Sequence, residues 1–371
     1  MEQQEKKVEY LELIYDLIFV YIIGRNNSLL HHVVGGFVPL STFAAYALCS
    51  LSVIQIWNFS TYYINMHGRN GVRDHVFLSL NMYLLYYMGE GIRLHWEYSQ
   101  NQYHYAWALI LLNIGLQYAL ELRNPHSPME QRSIRRMMAV LFGETALVLV
   151  SIPVYNHTGV PMSALPILFG MVLTRLFADE TKAEMVDFPH LTERAMLFVV
   201  FTFGEMVIAI ASYFDGAFTL SSVYFSTMSF LIVVGLFLCY EILYDRVIDR
   251  TRTTTGISYM LIHIFLIFAM NLLTTSLEFM QNSGVALWPK TVLLIVSFVL
   301  YFLCLFALQF YSKPECRLPA KYLAPILGLA AVFVAAMLAL REYSYWNILL
   351  SVVYVGFVCW RIWGFGRKAE L

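Results

Sequence analysis

Long runs of apolar residues recur along the whole chain and are broken by short polar segments. A helix that crosses a lipid bilayer needs about 20 mostly apolar residues. The runs end at glycine, proline or charged residues, which favours separate helices joined by short loops. We predict twelve spans, at residues 9–30, 41–65, 74–95, 104–122, 134–154, 161–178, 190–212, 222–244, 256–279, 289–311, 320–340 and 344–364.

The composition agrees with a chain that is largely surrounded by lipid. Of its 371 residues, 59% are hydrophobic and only 13% are charged, whereas soluble proteins have about 25% charged residues. Lysine and arginine number 24 against 25 acids, so no basic excess indicates nucleic-acid binding. We therefore predict an all-α polytopic membrane protein whose main partner is the bilayer. The homo-oligomeric state is left open.

The distribution of lysine and arginine predicts the orientation of the spans. With the N-terminus placed in the cytoplasm, 20 of the 24 basic residues fall on the cytoplasmic side. Arg93, Lys290 and Arg341 fall outside, and Arg25 lies within the first span. This asymmetry follows the rule that cytoplasmic loops are positively charged. We expect a multi-pass protein of the cell inner membrane with both termini in the cytoplasm.

The second half of the chain echoes the first. The six predicted spans of residues 1–182 recur in residues 183–371 with offsets of 181 to 186 residues. Six is an even number, so two such halves would be parallel repeats related by an axis along the membrane normal. The alternative is that any two sets of six similar helices look alike.

Two segments carry more specific patterns. YLELIYDLIFVYII at residues 10–23 and HLTERAMLFVVFTFGEMVIAI at residues 190–210 resemble the two signatures of the bacterial low temperature requirement A family. The positions that match are Glu12, Tyr15, Asp16, His190, Glu193, Arg194, Gly204 and Glu205. Ala195 and Met196 depart from the usual aromatic–glycine pair, which affects packing more than chemistry.

The resemblance extends over essentially the whole chain, but what it implies is limited. The family is named for a growth requirement in the cold, and this name supplies no biochemical activity. The function must therefore be argued from the residues.

Ionisable side chains within the predicted spans are functional candidates, because each costs about 2.5–3.5 kcal/mol at the centre of a bilayer. At ~1.5 Å per residue, Glu144 lies ~15 Å deep, close to the midplane. We select six residues as candidates for a substrate or ion pathway: Glu205, Glu144, Arg25, Glu90, His263 and Asn271.

Arg25 and Glu205 are related by the proposed repeat, since each follows a glycine and they are 180 residues apart. One hypothesis pairs them across a central cavity at the repeat interface. The other lets Arg25 extend to the outer surface, where polar residues follow it. Glu90 has an alternative partner in Arg93 near that surface.

The three glycine–glutamate pairs, at Glu90, Glu144 and Glu205, would hold a net charge of −2 against Arg25 if all were ionised. Burial in lipid favours their protonated form or a bound cation. Reversible protonation is what a proton-coupled transporter or a proton channel requires. A structural network that holds helices together is the alternative.

A second group of polar residues lies at the predicted cytoplasmic ends of two spans. Glu12 and Asp16 share one helical face, and His190, Glu193 and Arg194 begin the matching span of the second half. One hypothesis is a cytoplasmic gate in which Glu12 and Asp16 face Arg194. The alternative is helix capping and a solvated polar face. Tyr15 belongs to the same signature.

No sequence motif indicates a cofactor or a metal. The single H-x-x-E at His190 and Glu193 lacks the second pair that a di-metal site needs. The five cysteines are scattered and form no CxxC pair. We therefore predict a proton- or cation-coupled transporter of an unknown small molecule or ion. A passive proton or cation channel, a membrane-embedded lipid-binding protein or an enzyme are the alternatives.

Overall fold

The computed structural model describes residues 6–92, 96–177, 183–214 and 218–366. Within these ranges the chain forms twelve α-helices and no β-strand, which confirms the all-helical fold class. The helices are Tyr10–Leu30 (α1), Leu40–His67 (α2), Val72–Glu90 (α3), Trp96–Glu121 (α4), Pro128–Thr158 (α5), Ala164–Leu176 (α6), Phe188–Ile210 (α7), Leu220–Ile242 (α8), Ile257–Gln281 (α9), Leu287–Ala307 (α10), Ala320–Ala339 (α11) and Ser344–Gly366 (α12).

Each helix coincides with one predicted span, and the ends usually agree within a few residues. The starts of α4 and α5 are the larger differences, because both helices extend into polar segments that hydropathy excludes. Eight helices are long and apolar enough to cross a membrane: α2, α5 and α7 to α12. Among the others, α6 has 13 residues. The two parallel repeats, residues 1–182 and 183–371, stay a prediction.

Local signals in the sequence explain the ends of α5. The Ser127 side chain accepts a hydrogen bond from the Glu130 backbone N–H, and the Glu130 carboxylate accepts one from the Ser127 backbone N–H. This capping box, followed by Pro128, satisfies backbone donors that the helix start leaves unpaired. At the other end, Gly159 adopts φ +69°, a left-handed conformation that favours glycine and terminates the helix.

The described chain divides into two compact units. The first contains residues 6–32, 39–195 and 251–264, and therefore α1 to α6 with the beginnings of α7 and α9. Within it, α2 packs against α1, α4 and α6. Every residue of α2 from Val53 to Asn65 is buried. All faces of this part of the helix are therefore covered, as expected of a central helix.

The second unit contains residues 33–38, 196–250 and 265–366 of the described chain. Its main packing joins α8 to α12, and α12 also contacts α10 and α11. The stacked rings of Phe333 and Tyr354, with centroids 4.4 Å apart, contribute to this core. Tyr301 donates a hydrogen bond of 2.8 Å to the Leu236 carbonyl and links α10 to α8.

Candidate functional site

A buried ion cluster lies where the first turns of α1 and α7 meet inside the first unit. Arg194 donates two hydrogen bonds to Asp16, of 3.1 Å from Nε and 2.6 Å from Nη2. Its Nη1 donates to Glu12. The Trp57 indole N–H, on α2, donates to Asp16 at 2.8 Å. Arg194 and Asp16 are fully buried and Glu12 is 3% exposed, so one guanidinium satisfies two buried carboxylates.

A histidine and an asparagine extend this cluster. The Asn65 side-chain oxygen accepts from the Asp187 backbone N–H at 3.1 Å, which fixes the orientation of the amide. The Asn65 NH₂ group therefore faces His190 Nδ1, at 3.0 Å. We assign the lone pair of the ring to Nδ1, since Asn65 is the donor. His190 Nε2, which then carries the proton, lies 3.3 Å from Glu12 Oε2 without the geometry of a hydrogen bond.

Asp187 and Lys6 complete the surroundings of the cluster. The Asp187 carboxylate accepts the His190 backbone N–H at 3.0 Å, so it caps the start of α7. Lys6 donates from Nζ to the Gly68 carbonyl at 3.0 Å, near the end of α2. Burial lowers the pKa of the Lys6 ammonium, although the carboxylates of Glu12 and Asp187 oppose this shift.

The structure thus brings together four of the six residues considered for the cytoplasmic gate: Glu12, Asp16, His190 and Arg194. The alternative of a solvated polar face does not hold for Glu12 and Asp16, because both carboxylates are buried against Arg194. The adjacent Tyr15 is also buried, and its hydroxyl lies 2.7 Å from Ser60 Oγ on α2. Glu193 is only half-buried. A gate function for these residues stays a prediction.

Glu144 is fully buried among α2, α5 and α6. The Gln55 amide donates to Glu144 Oε2 at 3.4 Å and to the Ile167 carbonyl at 3.2 Å. Glu144 Oε1 has no hydrogen-bond partner among the described residues. A Cβ at Gly170 would overlap both the carboxylate and the amide, so Gly170 on α6 provides the space that these two groups occupy.

A small cavity of about 20 Å³, with both apolar and polar lining residues, adjoins this carboxylate site, and Gln55 and Gly170 line both. Asn58 and Thr174 also line it. One oxygen on each of Gln55, Asn58 and Thr174 has no hydrogen-bond partner in the described chain. A cavity of this size holds about one water molecule when polar groups surround it.

Arg25 lies near the opposite end of α1 from the ion cluster, and its Nη2 is 4.0 Å from Glu90 Oε2. Tyr21 also donates a hydrogen bond to Glu90. The Arg25 and Glu90 side chains are more than one-third exposed. The predicted pair of Arg25 with Glu205 joins residues of different units and stays a prediction. Arg93, the alternative partner of Glu90, lies outside the described residues.

The remaining candidates are His263 in the first unit and Asn271 and Glu205 in the second. His263 is fully buried, and its Nδ1–H donates to the Tyr259 carbonyl at 2.9 Å. Asn271 is 1% exposed, and neither polar atom of its side chain has a hydrogen-bond partner among the described residues. Glu205 is half-buried and interacts electrostatically with Glu278 in the second unit.

Sequence reasoning missed the residues of α2 that hold both sites. Gln55 and Asn58 are separated by three positions in an apolar helix, so they share a face. That polar spacing was the available signal. Trp57 and Asn65 gave no such signal, because an aromatic and an amide near a helix end are common at membrane interfaces.

Comparison with known proteins supports the resemblance of the two signatures. The model of the family described as bacterial low temperature requirement A protein matches residues 7–359, nearly the whole chain. No curated protein and no solved structure matches it. The apolar helices agree with a multi-pass membrane protein. The chain belongs to the bacterial low temperature requirement A (LtrA) family.

Proposed function

We propose that this protein is a proton-coupled secondary transporter in which Glu144 takes up and releases the proton. The observation that carries the proposal is the full burial of Glu144 without an ion-pair partner among the described residues. An uncompensated carboxylate is expensive inside a membrane and is favoured only when it can be protonated. In this proposal the proton reaches the carboxylate through the adjoining water-sized cavity, which shares Gln55 and Gly170 with the carboxylate site.

The order of polar sites along α2 supports a transport pathway. Cys49 lines a chamber of about 410 Å³ at one end of the first unit. Gln55 contacts Glu144, and Asn65 contacts the ion cluster. At ~1.5 Å per residue, Cys49 lies ~9 Å from Gln55, and Asn65 lies ~15 Å beyond it. The chamber, the carboxylate and the ion cluster therefore follow one another along a single helix.

The ion cluster acts as the cytoplasmic gate in this proposal, with the chamber on the outer side. This orientation places both termini in the cytoplasm, as the distribution of basic residues predicts. The Arg194 guanidinium holds α1 to α7 through Glu12 and Asp16. Opening of this gate would break the hydrogen bonds of Arg194 to Glu12 and Asp16. Alternating access requires such a second conformation of the two helices. A passive proton channel shares the carboxylate but needs no such conformation.

The first test replaces Glu144 with glutamine, which keeps the shape and removes the titratable proton. With a transported solute present, we expect proton flux into proteoliposomes under a pH step to fall to the level of empty vesicles. In infrared difference spectra between acid and neutral pH, the carbonyl band of a protonated carboxylic acid should also disappear. The matched control is Glu184→Gln, because Glu184 is exposed; it should retain both signals.

If the wild-type protein and Glu144→Gln give the same infrared spectra and the same flux, Glu144 is structural and the proposal fails. Proton flux that follows an imposed potential, needs no other solute and is lost in Glu144→Gln would favour the channel.

A second test uses the space beside the carboxylate. Gly170→Ala should displace the Glu144 carboxylate and the Gln55 amide, since the added Cβ overlaps both. We expect at least a tenfold loss of Glu144-dependent proton flux with a smaller effect on thermal stability, because the displaced atoms end flexible side chains. Gly328→Ala is the control, as a Cβ there meets nothing within 4 Å. Equal flux in both variants would contradict this role of Gly170.

A further inference from the structure

The chamber at the outer end of the first unit has the features of a ligand site. It lies where α1 and α5 end and where α2 and α6 begin, and Leu29, Ser41, Tyr155 and Ser163 line it. Its volume of about 410 Å³ is within the range of about 300–1,000 Å³ that is usual for small-molecule sites. The lining reaches Cys49, nine residues into α2.

The walls of the chamber are aromatic and uncharged. Tyr103, His104, Trp107 and Tyr155 contribute rings. None of the described residues that line it is Asp, Glu, Lys or Arg. A charged ligand would lose its hydration here without an opposite charge in return, which makes its binding unfavourable. The lining therefore selects an uncharged molecule.

Two buried polar side chains of the chamber lack hydrogen-bond partners within the described chain. The Gln100 side-chain oxygen is an acceptor without a donor, and the Trp107 indole N–H is a donor without an acceptor. Gln100 is 3% exposed and Trp107 is 1% exposed. Each unsatisfied group carries a desolvation cost that a ligand can remove. A hydroxyl group, which both donates and accepts, has the matching chemistry for the two.

His104 and Ser163, which also line the chamber, form a hydrogen-bonded pair. His104 Nδ1–H donates to the backbone carbonyl of Gln100 at 2.7 Å, so the neutral ring carries its lone pair on Nε2. Nε2 lies 2.7 Å from Ser163 Oγ and accepts the serine proton. The Ser163 oxygen keeps its lone pairs for another donor.

We propose that this chamber binds an uncharged, hydroxyl-bearing small molecule, with the hydroxyl at Gln100 and Trp107 and the carbon skeleton against the aromatic walls. That this molecule is the transported cargo rests on the proposed function, whereas its binding does not. A lipid headgroup and a free alcohol or polyol share this chemistry, and competition for the chamber distinguishes the two sources.

The test measures binding of 6-fluoro-1-hexanol to the full chain in nanodiscs by fluorine NMR. We expect a saturable, shifted resonance with the wild-type protein. Gln100→Leu removes the side-chain amide, Trp107→Phe removes the indole N–H, and both keep most of the side-chain volume; each should weaken binding by about tenfold. Trp346→Phe is the matched control, because Trp346 is 55% exposed on α12; its isotherm should match that of the wild type.

A charged analogue provides a test that needs no variant. The anion 6-fluorohexanoate should bind the wild-type protein at least tenfold more weakly than the alcohol. Displacement of the alcohol by monoolein in the nanodisc would assign the site to a lipid headgroup, and displacement by glycerol would assign it to a free polyol. Equal isotherms for the wild type and both chamber variants, or equal binding of the anion, would overturn the proposal.

This measurement involves no proton gradient, so it separates the two proposals. Site-specific binding together with unaltered proton flux in Glu144→Gln would reject the transport mechanism and retain the site. Loss of flux in Glu144→Gln without saturable alcohol binding would reject the site and retain the proton pathway.

Discussion

Arg194→Met is expected to destabilise the folded protein by about 3–5 kcal/mol, because it breaks a buried ion cluster from one side. Methionine fills a similar volume but leaves the carboxylates of Glu12 and Asp16 buried without their cation. Removing one partner of a buried ion pair costs far more than the pair contributes, because the remaining charge is uncompensated. The midpoint of thermal unfolding of the purified protein in detergent measures the loss.

Two further variants show whether the charge imbalance is the cause. Arg132→Met makes the same change on the exposed start of α5, and it should shift the midpoint little. The triple variant Glu12→Gln, Asp16→Asn and Arg194→Met removes all three charges, and it should recover most of the lost stability. An unchanged midpoint in Arg194→Met alone would show that the ion cluster does not hold α1 to α7.

Gly256→Ala should cost about 2–5 kcal/mol, because it adds two separate penalties. Gly256 adopts φ +65°, a conformation that costs an L-residue about 1–2 kcal/mol. The new Cβ would also lie 2.5 Å from Leu191 and 3.2 Å from Phe188, and overpacking of this kind costs about 1–3 kcal/mol. Unfolding in denaturant, read by circular dichroism, gives the difference in free energy.

Gly159→Ala isolates the first of these penalties. Gly159 has φ +69°, but a Cβ there meets nothing within 4 Å. Its substitution should therefore cost only about 1–2 kcal/mol. If the two variants lose the same free energy of unfolding, overpacking of the new Cβ against Phe188 and Leu191 does not destabilise the protein.

Hydrophobic periodicity was sufficient to locate the helices, since a bilayer imposes a minimum length on each apolar run. The same argument placed Glu12 and Asp16 on one face and related them to Arg194, three residues that the structure joins. This pairing was predictable because a carboxylate buried in a membrane is stabilised by a basic side chain, and few basic residues are available there.

The surroundings of Glu144 were not predictable in the same way. Its neighbours come from α2 and α6, and which faces of three helices meet depends on packing rather than on the pattern within each helix. The chamber was missed for a related reason. His104 and Ser163 are 59 positions apart, and no motif or spacing in the sequence links the two residues.

The ion cluster also has a consequence for the synthesis of the protein. Asp16 and Arg194 are separated by 178 positions, and translation adds about 5–20 residues per second. About 9–36 s therefore pass between the synthesis of Asp16 and the synthesis of Arg194. During that interval α1 carries two acids without the cation that neutralises them in the folded chain, and α1 is not among the helices that are apolar enough to span a membrane by composition. We therefore expect the first helix of the chain to depend on the seventh for stable insertion, and ribosomes stalled before α7 emerges should leave α1 extractable from the membrane.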